Sequence, residues 1–361
     1  MRFSWLVLVV LAGCGRTELV RYSEFPPDAA MVFLDAGRPD AGLPDAGTPD
    51  AGPPDAGPCL PRPVPLTPAV PTVMFVVDRS GSMNEDLDGN MDGGTTRWEV
   101  LETSLRSVLP PLDQQIAMGV LMYPVAGSAC LAPSGVDLSP ATGNTTRVLN
   151  LFRTSVPLGG TPTSDSVGVA ADHLRQLRTA TSARAMILAT DGAPNCNPAL
   201  PRATCTCTSP PQTRPNCEEG THCLDDQRTV ASLGGWFSQG IPTYVIGLGS
   251  QLNVFAGTLE QMAVAGGVPR MGMPRYYSAT SQAELTDAFQ RITSQLTRCT
   301  FLLNGLGLND TFVVDVGGTV VPEGPDGWEW LDRTNGELAL RGMACDRAAM
   351  GARAQVLVDC H

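Results

Sequence analysis

Lysine does not occur in this chain: every one of its 24 Lys-plus-Arg positions is Arg, a compositional bias to which no function attaches. Set against 36 acidic residues, the arginines leave a net charge of -12. The chain therefore lacks the basic surplus that binding to nucleic acid or to an anionic membrane surface requires, while a basic partner remains compatible with its charge. Catalytic signatures are also missing. No G-x-S-x-G elbow occurs, and Gly247-Leu248-Gly249 lacks the third glycine of a dinucleotide fingerprint. Of the three histidines, His173 falls on a predicted helix, His222 among cysteines and His361 at the last position, so none is placed to act as a base. The chain reads as a binding protein and not as an enzyme.

What is present begins with Met1, Arg2 and an apolar stretch from Trp5 to Ala12 that ends Leu11-Ala12-Gly13-Cys14. Residues 1–13 read as an export signal, too short to span a bilayer as a mature helix. Its end resembles the lipobox of bacterial lipoproteins, which implies that Cys14 becomes the lipid-bearing first residue. Gly15, in place of Asp, resembles the outer-membrane sorting pattern. The expected location is the cell envelope, at the outer membrane or cell surface, with the N-terminal lipid as the membrane attachment. Setting Cys14 aside leaves ten of the eleven cysteines: Cys59, Cys130, Cys196, Cys205, Cys207, Cys217, Cys223, Cys299, Cys345 and Cys360. An even number in an exported chain reads as disulfides.

Residues 14–58 carry a five-residue period built on Asp35, Asp40, Asp45, Asp50 and Asp55, each followed by Ala-Gly. Proline removes donors, glycine is entropically costly to order, and no large apolar face recurs, so this tract is a linker. Extended at about 3.1 Å per residue, it reaches up to ~140 Å. From Val70 to about Arg298 the texture changes. Short apolar runs at Thr72 to Val77, Ile116 to Tyr123, Ala185 to Thr190, Thr243 to Gly247 and Tyr276 to Ser278 alternate with helical stretches. Strands apolar on both faces, separated by amphipathic helices, predict a doubly wound, mostly parallel α/β sheet over residues 59–299. A cysteine-rich insertion over 192–225 interrupts it. Beyond Cys299, short runs separated by Gly, Asn, Asp and Pro predict a small antiparallel β unit over 300–361, helped by disulfides.

The first strand runs into Asp78-Arg79-Ser80-Gly81-Ser82-Met83; Gly159-Gly160-Thr161-Pro162-Thr163 and Ala189-Thr190-Asp191-Gly192 follow later in the chain. Together these resemble the three loops of a metal-ion-dependent adhesion site in von Willebrand factor A (VWA) domains. The resemblance covers about residues 70–298. It implies a divalent ion, Mg²⁺ or Mn²⁺, coordinated by Ser80 and Ser82, with Thr161 direct or through water and with Asp78 and Asp191 acting largely through water or orienting the serines. The residue types suit a small hard cation, which prefers compact oxygen donors to sulfur. With few charged oxygens bonded directly, such an ion accepts a carboxylate from a partner protein. The site is expected at the carboxyl edge of the sheet.

The insertion starts one residue after Asp191, so it is expected to form part of the partner-facing rim. Deleting residues 195–223 is expected to abolish partner binding and to leave metal affinity intact. Its cysteines and His222 read as disulfides rather than zinc ligands, given an oxidising compartment and no paired C-x₂-C. Asp88, Asn90, Asp92 and Glu99, with Gly93 at the turn position, match a Ca²⁺ loop pattern but have no helix before them. They read either as a second cation site or as an acidic, glycine-rich connection. Because Cys59 and Cys299 bracket the α/β domain, a bridge between them is expected, with Cys345 to Cys360 closing the β unit and six cysteines pairing near the metal face. The function this implies is metal-dependent protein binding or adhesion at the envelope. The alternative is a structural or assembly lipoprotein that scaffolds a complex without metal-dependent ligand exchange.

Overall fold

The computed structural model describes residues 62–88, 93–177, 183–208, 217, 220–249, 255–303 and 311–358, all within the compact unit Pro58–His361. The export signal, the linker, Cys14, Cys59, Asn90, Asp92 and Cys360 lie outside the described residues.

Two short strands open the described chain, β1 (Arg62–Pro65) and β2 (Thr67–Pro68). The α/β domain follows with β3 (Thr72–Asp78), β4 (Ala117–Tyr123), β5 (Leu138–Ala141), β6 (Arg184–Thr190), β7 (Thr243–Leu248) and β8 (Tyr277–Ala279). Its helices are α1 (Arg97–Val108), α2 (Thr145–Thr154), α3 (Thr163–Gln176), α4 (Asp226–Phe237), α5 (Ala256–Ala265) and α6 (Gln282–Arg298). The six strands lie in the order β5-β4-β3-β6-β7-β8, parallel except for β5, which runs antiparallel along the edge of β4. This is the mostly parallel α/β sheet that the alternating pattern predicts.

Burial on both faces explains the continuous apolar runs. All seven residues of β3 are buried. Val73, Phe75 and Val77 point into one core with Leu101 and Leu105 of α1, Val148 and Phe152 of α2, and Phe289 and Ile292 of α6. Met74 and Val76 point the other way, against Val167 and Leu174 of α3, Leu233 of α4 and Leu259 of α5. Successive strand residues thus feed opposite helical layers.

The small unit differs from expectation in two ways. It contains β9 (Thr300–Leu302), β10 (Phe312–Val316), β11 (Val320–Val321), β12 (Trp328–Asp332), β13 (Glu337–Leu340) and β14 (Ala354–Val358), but also the helix α7 (Gly342–Ala349). It also borrows β1 and β2, giving two four-stranded antiparallel sheets ordered β1-β14-β10-β11 and β12-β13-β9-β2. Leu66, Phe301, Val314, Trp328, Leu338, Ala344 and Val356 share one core. Residues 62–68 therefore belong with this unit, so it is not contained within 300–361. A strand of two to four residues with proline in it carries too little pattern to announce its partner.

The expected Cys59 to Cys299 and Cys345 to Cys360 bridges are both corrected: Cys299 is bonded to Cys345. The ends of the α/β domain do meet, since the Ala69 N–H donates to the Thr300 carbonyl at 2.9 Å. Cys299, however, caps the C-terminal end of α6 with its side chain buried, and it faces Cys345 on α7 across a Cα separation of 5.2 Å. That separation is within the span a disulfide bridges.

Eight cysteines pair with one another among the described residues.

Candidate metal centre

The register of β3 against β6 aligns Val77 with Ala189, so both strands end at the same edge of the sheet. Asp78 is the last residue of β3, and Asp191 follows the last residue of β6. Both carboxylates are buried. After Asp78 the chain turns through Arg79 and Ser80 into a short 3₁₀ turn, Gly81–Asn84. One Asp78 oxygen, Oδ1, accepts the Ser80 N–H at 2.8 Å, and Oδ2 accepts the Thr190 hydroxyl at 2.6 Å. The Ser82 hydroxyl donates to Asp191 Oδ1 at 3.0 Å, and the Ser80 and Ser82 hydroxyl oxygens lie 3.0 Å apart. Four of the five sequence-predicted residues thus form one hydrogen-bonded cluster.

Thr161 arrives from a third segment laid beside the first loop. Gly81 N–H donates to the Gly159 carbonyl at 2.9 Å, and Leu158 N–H to the Arg79 carbonyl at 2.8 Å. Thr161 is buried, and its backbone is held from both sides by Asn195: the Thr161 N–H donates to Asn195 Oδ1 at 2.7 Å, and the Asn195 N–H to the Thr161 carbonyl at 2.8 Å. Among the described residues, no hydrogen bond uses the Thr161 hydroxyl.

Burying two carboxylates together is electrostatically unfavourable. Burial, and then the nearby Asp191 charge, push the Asp78 carboxyl up to about 7. Burial raises Asp191 too, against the opposing pull of Arg97. A divalent cation beside the pair relieves this penalty, and three hydroxyls with two carboxylates make an all-oxygen donor set of the hard type that Mg²⁺ or Mn²⁺ takes. The residues fit the ion.

Several contributors are illegible in the sequence. Arg97, only 2 % exposed, donates from Nη1 to Asp191 Oδ2 at 2.7 Å and to the Ser82 carbonyl at 3.1 Å. Its Nη2 lies 3.1 Å from Glu85 Oε2. A cation at the first residue of a helix opposes the helix dipole, and that oddity was the available signal. Gly249, at φ +95°, makes room for it: a Cβ there would stand 2.7 Å from Arg97 Nε.

The insertion proves to be part of the site. Cys196, at its start, is bonded to Cys130 in the loop after β4, while Cys205–Cys223 and Cys207–Cys217 staple its interior. Six cysteines therefore form three bridges on this face, as expected. A Cβ on Gly160 would come within 2.7 Å of Cys196 Sγ and 3.1 Å of Cys130 Sγ, so the disulfide lies directly against the Thr161 segment. Deleting 195–223 would also remove Asn195, the residue that holds the Thr161 backbone from both sides. Cys205, Cys217 and Cys223 cluster closely enough to share an ion, but all three are in disulfides.

The Ca²⁺ loop reading meets a competing use of its last residue. Glu99 Oε2 accepts both the N–H and the hydroxyl of Thr96 at 2.9 Å, and the Thr96 hydroxyl accepts the Glu99 N–H. This is a capping box at the start of α1. Asp88 lies in a turn before the helix, while Asn90 and Asp92 lie outside the described residues.

Replacing Asn195 by Ala leaves the buried Thr161 N–H without its acceptor. The expected loss is ~1–3 kcal/mol of stability, read from urea unfolding. An unchanged midpoint would show that Asn195 does not hold this segment.

No family model and no curated protein sequence matches the chain. Similar solved structures include the PilB minor pilin from Streptococcus sanguinis, at 20% identity, covering 64% of this chain and 62% of that one, with a TM-score of 0.44. The vWF domain of the type V pili tip protein Mfa5 from Porphyromonas gingivalis is 14% identical, covering 64% of this chain and 96% of that one, with a TM-score of 0.41. Manganese-loaded TRAP protein from Plasmodium vivax is 15% identical, covering 63% and 76%, with a TM-score of 0.39. The chain thus spans less than two thirds of the length of the PilB minor pilin.

Proposed function

We propose that this chain is a divalent-metal-dependent protein-binding module of the VWA kind, acting at the cell envelope as an adhesin or assembly factor and not as an enzyme. The observation that carries the reading is the convergence of Asp78, Ser80, Ser82 and Asp191 into one hydrogen-bonded cluster at the carboxyl edge of a parallel sheet, with the Thr161 segment bonded alongside. Ser80, Ser82 and Thr161 would hold Mg²⁺ or Mn²⁺ through their hydroxyls. Asp78 orients Ser80 through its backbone N–H, and Asp191 orients Ser82 through its hydroxyl. A bound ion supplies an open coordination position for one oxygen of a partner's carboxylate. The rim around that position is built by the Thr161 segment and the disulfide-stapled insertion, which is where selection among partners would arise.

The location follows from the N-terminal sequence: a lipid on Cys14 would anchor the chain, with the repeat tract as its tether. No helix among the described residues is long and apolar enough to cross a membrane. Replacing Cys14 by Ser is expected to move the mature chain from the membrane fraction to the soluble fraction. Retention in the membrane fraction would count against lipid anchoring.

One observation favours the metal-free scaffold as a second reading: Arg97 already sets a positive charge against Asp191. Calorimetric titration with Mg²⁺ separates the two. Wild type is expected to give a single saturable isotherm that Ser80→Ala/Ser82→Ala abolishes, and partner crosslinking is expected to vanish in EDTA. Absence of any isotherm in wild type would leave the scaffold reading standing.

A further inference from the structure

The charge census of the site contains a cation that the three-loop pattern does not call for. Beside the Asp78 and Asp191 carboxylates, Arg97, fixed by its bonds to Asp191 and to the Ser82 carbonyl, contributes one positive charge. Its remaining contact, Glu85, is 39% exposed, so solvent screens that charge more than the buried ones. The guanidinium is held against both ends of the serine turn's anchor. Gly249 leaves it room without allowing a side chain to press on it.

We infer that Arg97 sets the metal affinity of this centre: an internal cation 2.7 Å from Asp191 that weakens metal binding and favours an anion beside the bound ion. This rests on the metal-dependent reading above. Arg97 makes the surroundings of a bound ion one charge more positive than a neutral residue there would, an effect that Glu85, 3.1 Å away and partly exposed, offsets in part. Arg97 also ties up Asp191 Oδ2, while Ser82 occupies Oδ1. Asp191 therefore serves as an anchor for the serine and not as a second charged ligand, which keeps the ion's neighbours neutral hydroxyls. A carboxylate from an acidic partner segment is the ligand chemistry that such a site selects over a neutral oxygen.

The test uses the mature full-length chain and Mg²⁺ alone as the first probe. Arg97→Gln, neutral but still able to hydrogen-bond, is expected to bind Mg²⁺ roughly tenfold more tightly than wild type by calorimetry. Arg97→Lys, which keeps the charge and loses the planar fork, is expected to stay within about threefold of wild type. A purely structural role would instead make Arg97→Gln bind more weakly and leave Arg97→Lys impaired, and either result overturns the inference. If Arg97→Gln does not fold, the Lys variant decides alone: near-wild-type affinity supports a charge effect, and a larger change in either direction overturns it. Acetate supplies the second readout. It is expected to tighten Mg²⁺ binding in wild type and to do so less in Arg97→Gln, whereas equal effects would overturn the inference.

The outcomes also separate this inference from the reading beneath it. Mg²⁺ binding by Arg97→Gln but not by wild type would support Arg97 as an internal cation and sink the metal-dependent function. Binding by wild type with no gain in Arg97→Gln would do the reverse. Binding by neither would overturn both.

Discussion

Two carboxylates held side by side in a buried corner impose the condition that the rest of the site answers. The parallel register of β3 and β6 brings Asp78 and Asp191 to one edge of the sheet, where little solvent reaches either. Each is then satisfied in a different way. Asp78 is clasped by neutral donors, the Ser80 N–H and the Thr190 hydroxyl, and its carboxyl is held far above the usual range by burial. Asp191 is clasped by one neutral donor and one charged one, Ser82 and Arg97. The 3₁₀ turn, the first residue of α1 and the glycine after β7 all take their form from these bonds.

The legible parts of this chain are those whose meaning is local. The apolar runs of β3, β4, β6 and β7 are long enough to declare strands buried on both faces, and the helices between them repeat at helical period. Asp78, Ser80 and Ser82 sit within a span of five residues, so their joint use is visible as a string. Parts whose meaning depends on distant partners were not legible. β1 and β2 acquire a role only through β14 and β9, far along the chain. Cys299 chose Cys345 over Cys59 because α6 and α7 pack together, which no spacing encodes. Glu99 shows the opposite hazard: the same carboxylate that completes a calcium-loop pattern also completes a capping box, and the helix claims it.

Asn195 links the cysteine-rich insertion to the centre in a way that composition could not disclose. A stretch dense in Cys, Pro and Thr reads as an ornament on the rim. Instead, its first residues fasten Thr161, while the Cys130–Cys196 bridge packs on Gly160. The insertion and the loops that carry Asp78, Thr161 and Asp191 therefore form one structural object, and variation in the insertion acts on the position of Thr161.

The route by which the chain enters the α/β domain has a mechanical consequence. From β1 and β2 the backbone passes directly into β3, whose far end carries Asp78 and the serine turn. β3 is the strand most fully flanked in the sheet, with all seven residues registered against β4 and six against β6. Tension between the N-terminal side of residue 62 and anything gripped at Ser80 and Ser82 would run along the axis of this strand. The covalent backbone of β3 would carry that tension, and its hydrogen bonds to β4 and β6, lying across the axis on both sides, would hold the strand in place without being pulled open. A molecule pulled at those two points would bear the load on its most strongly paired strand.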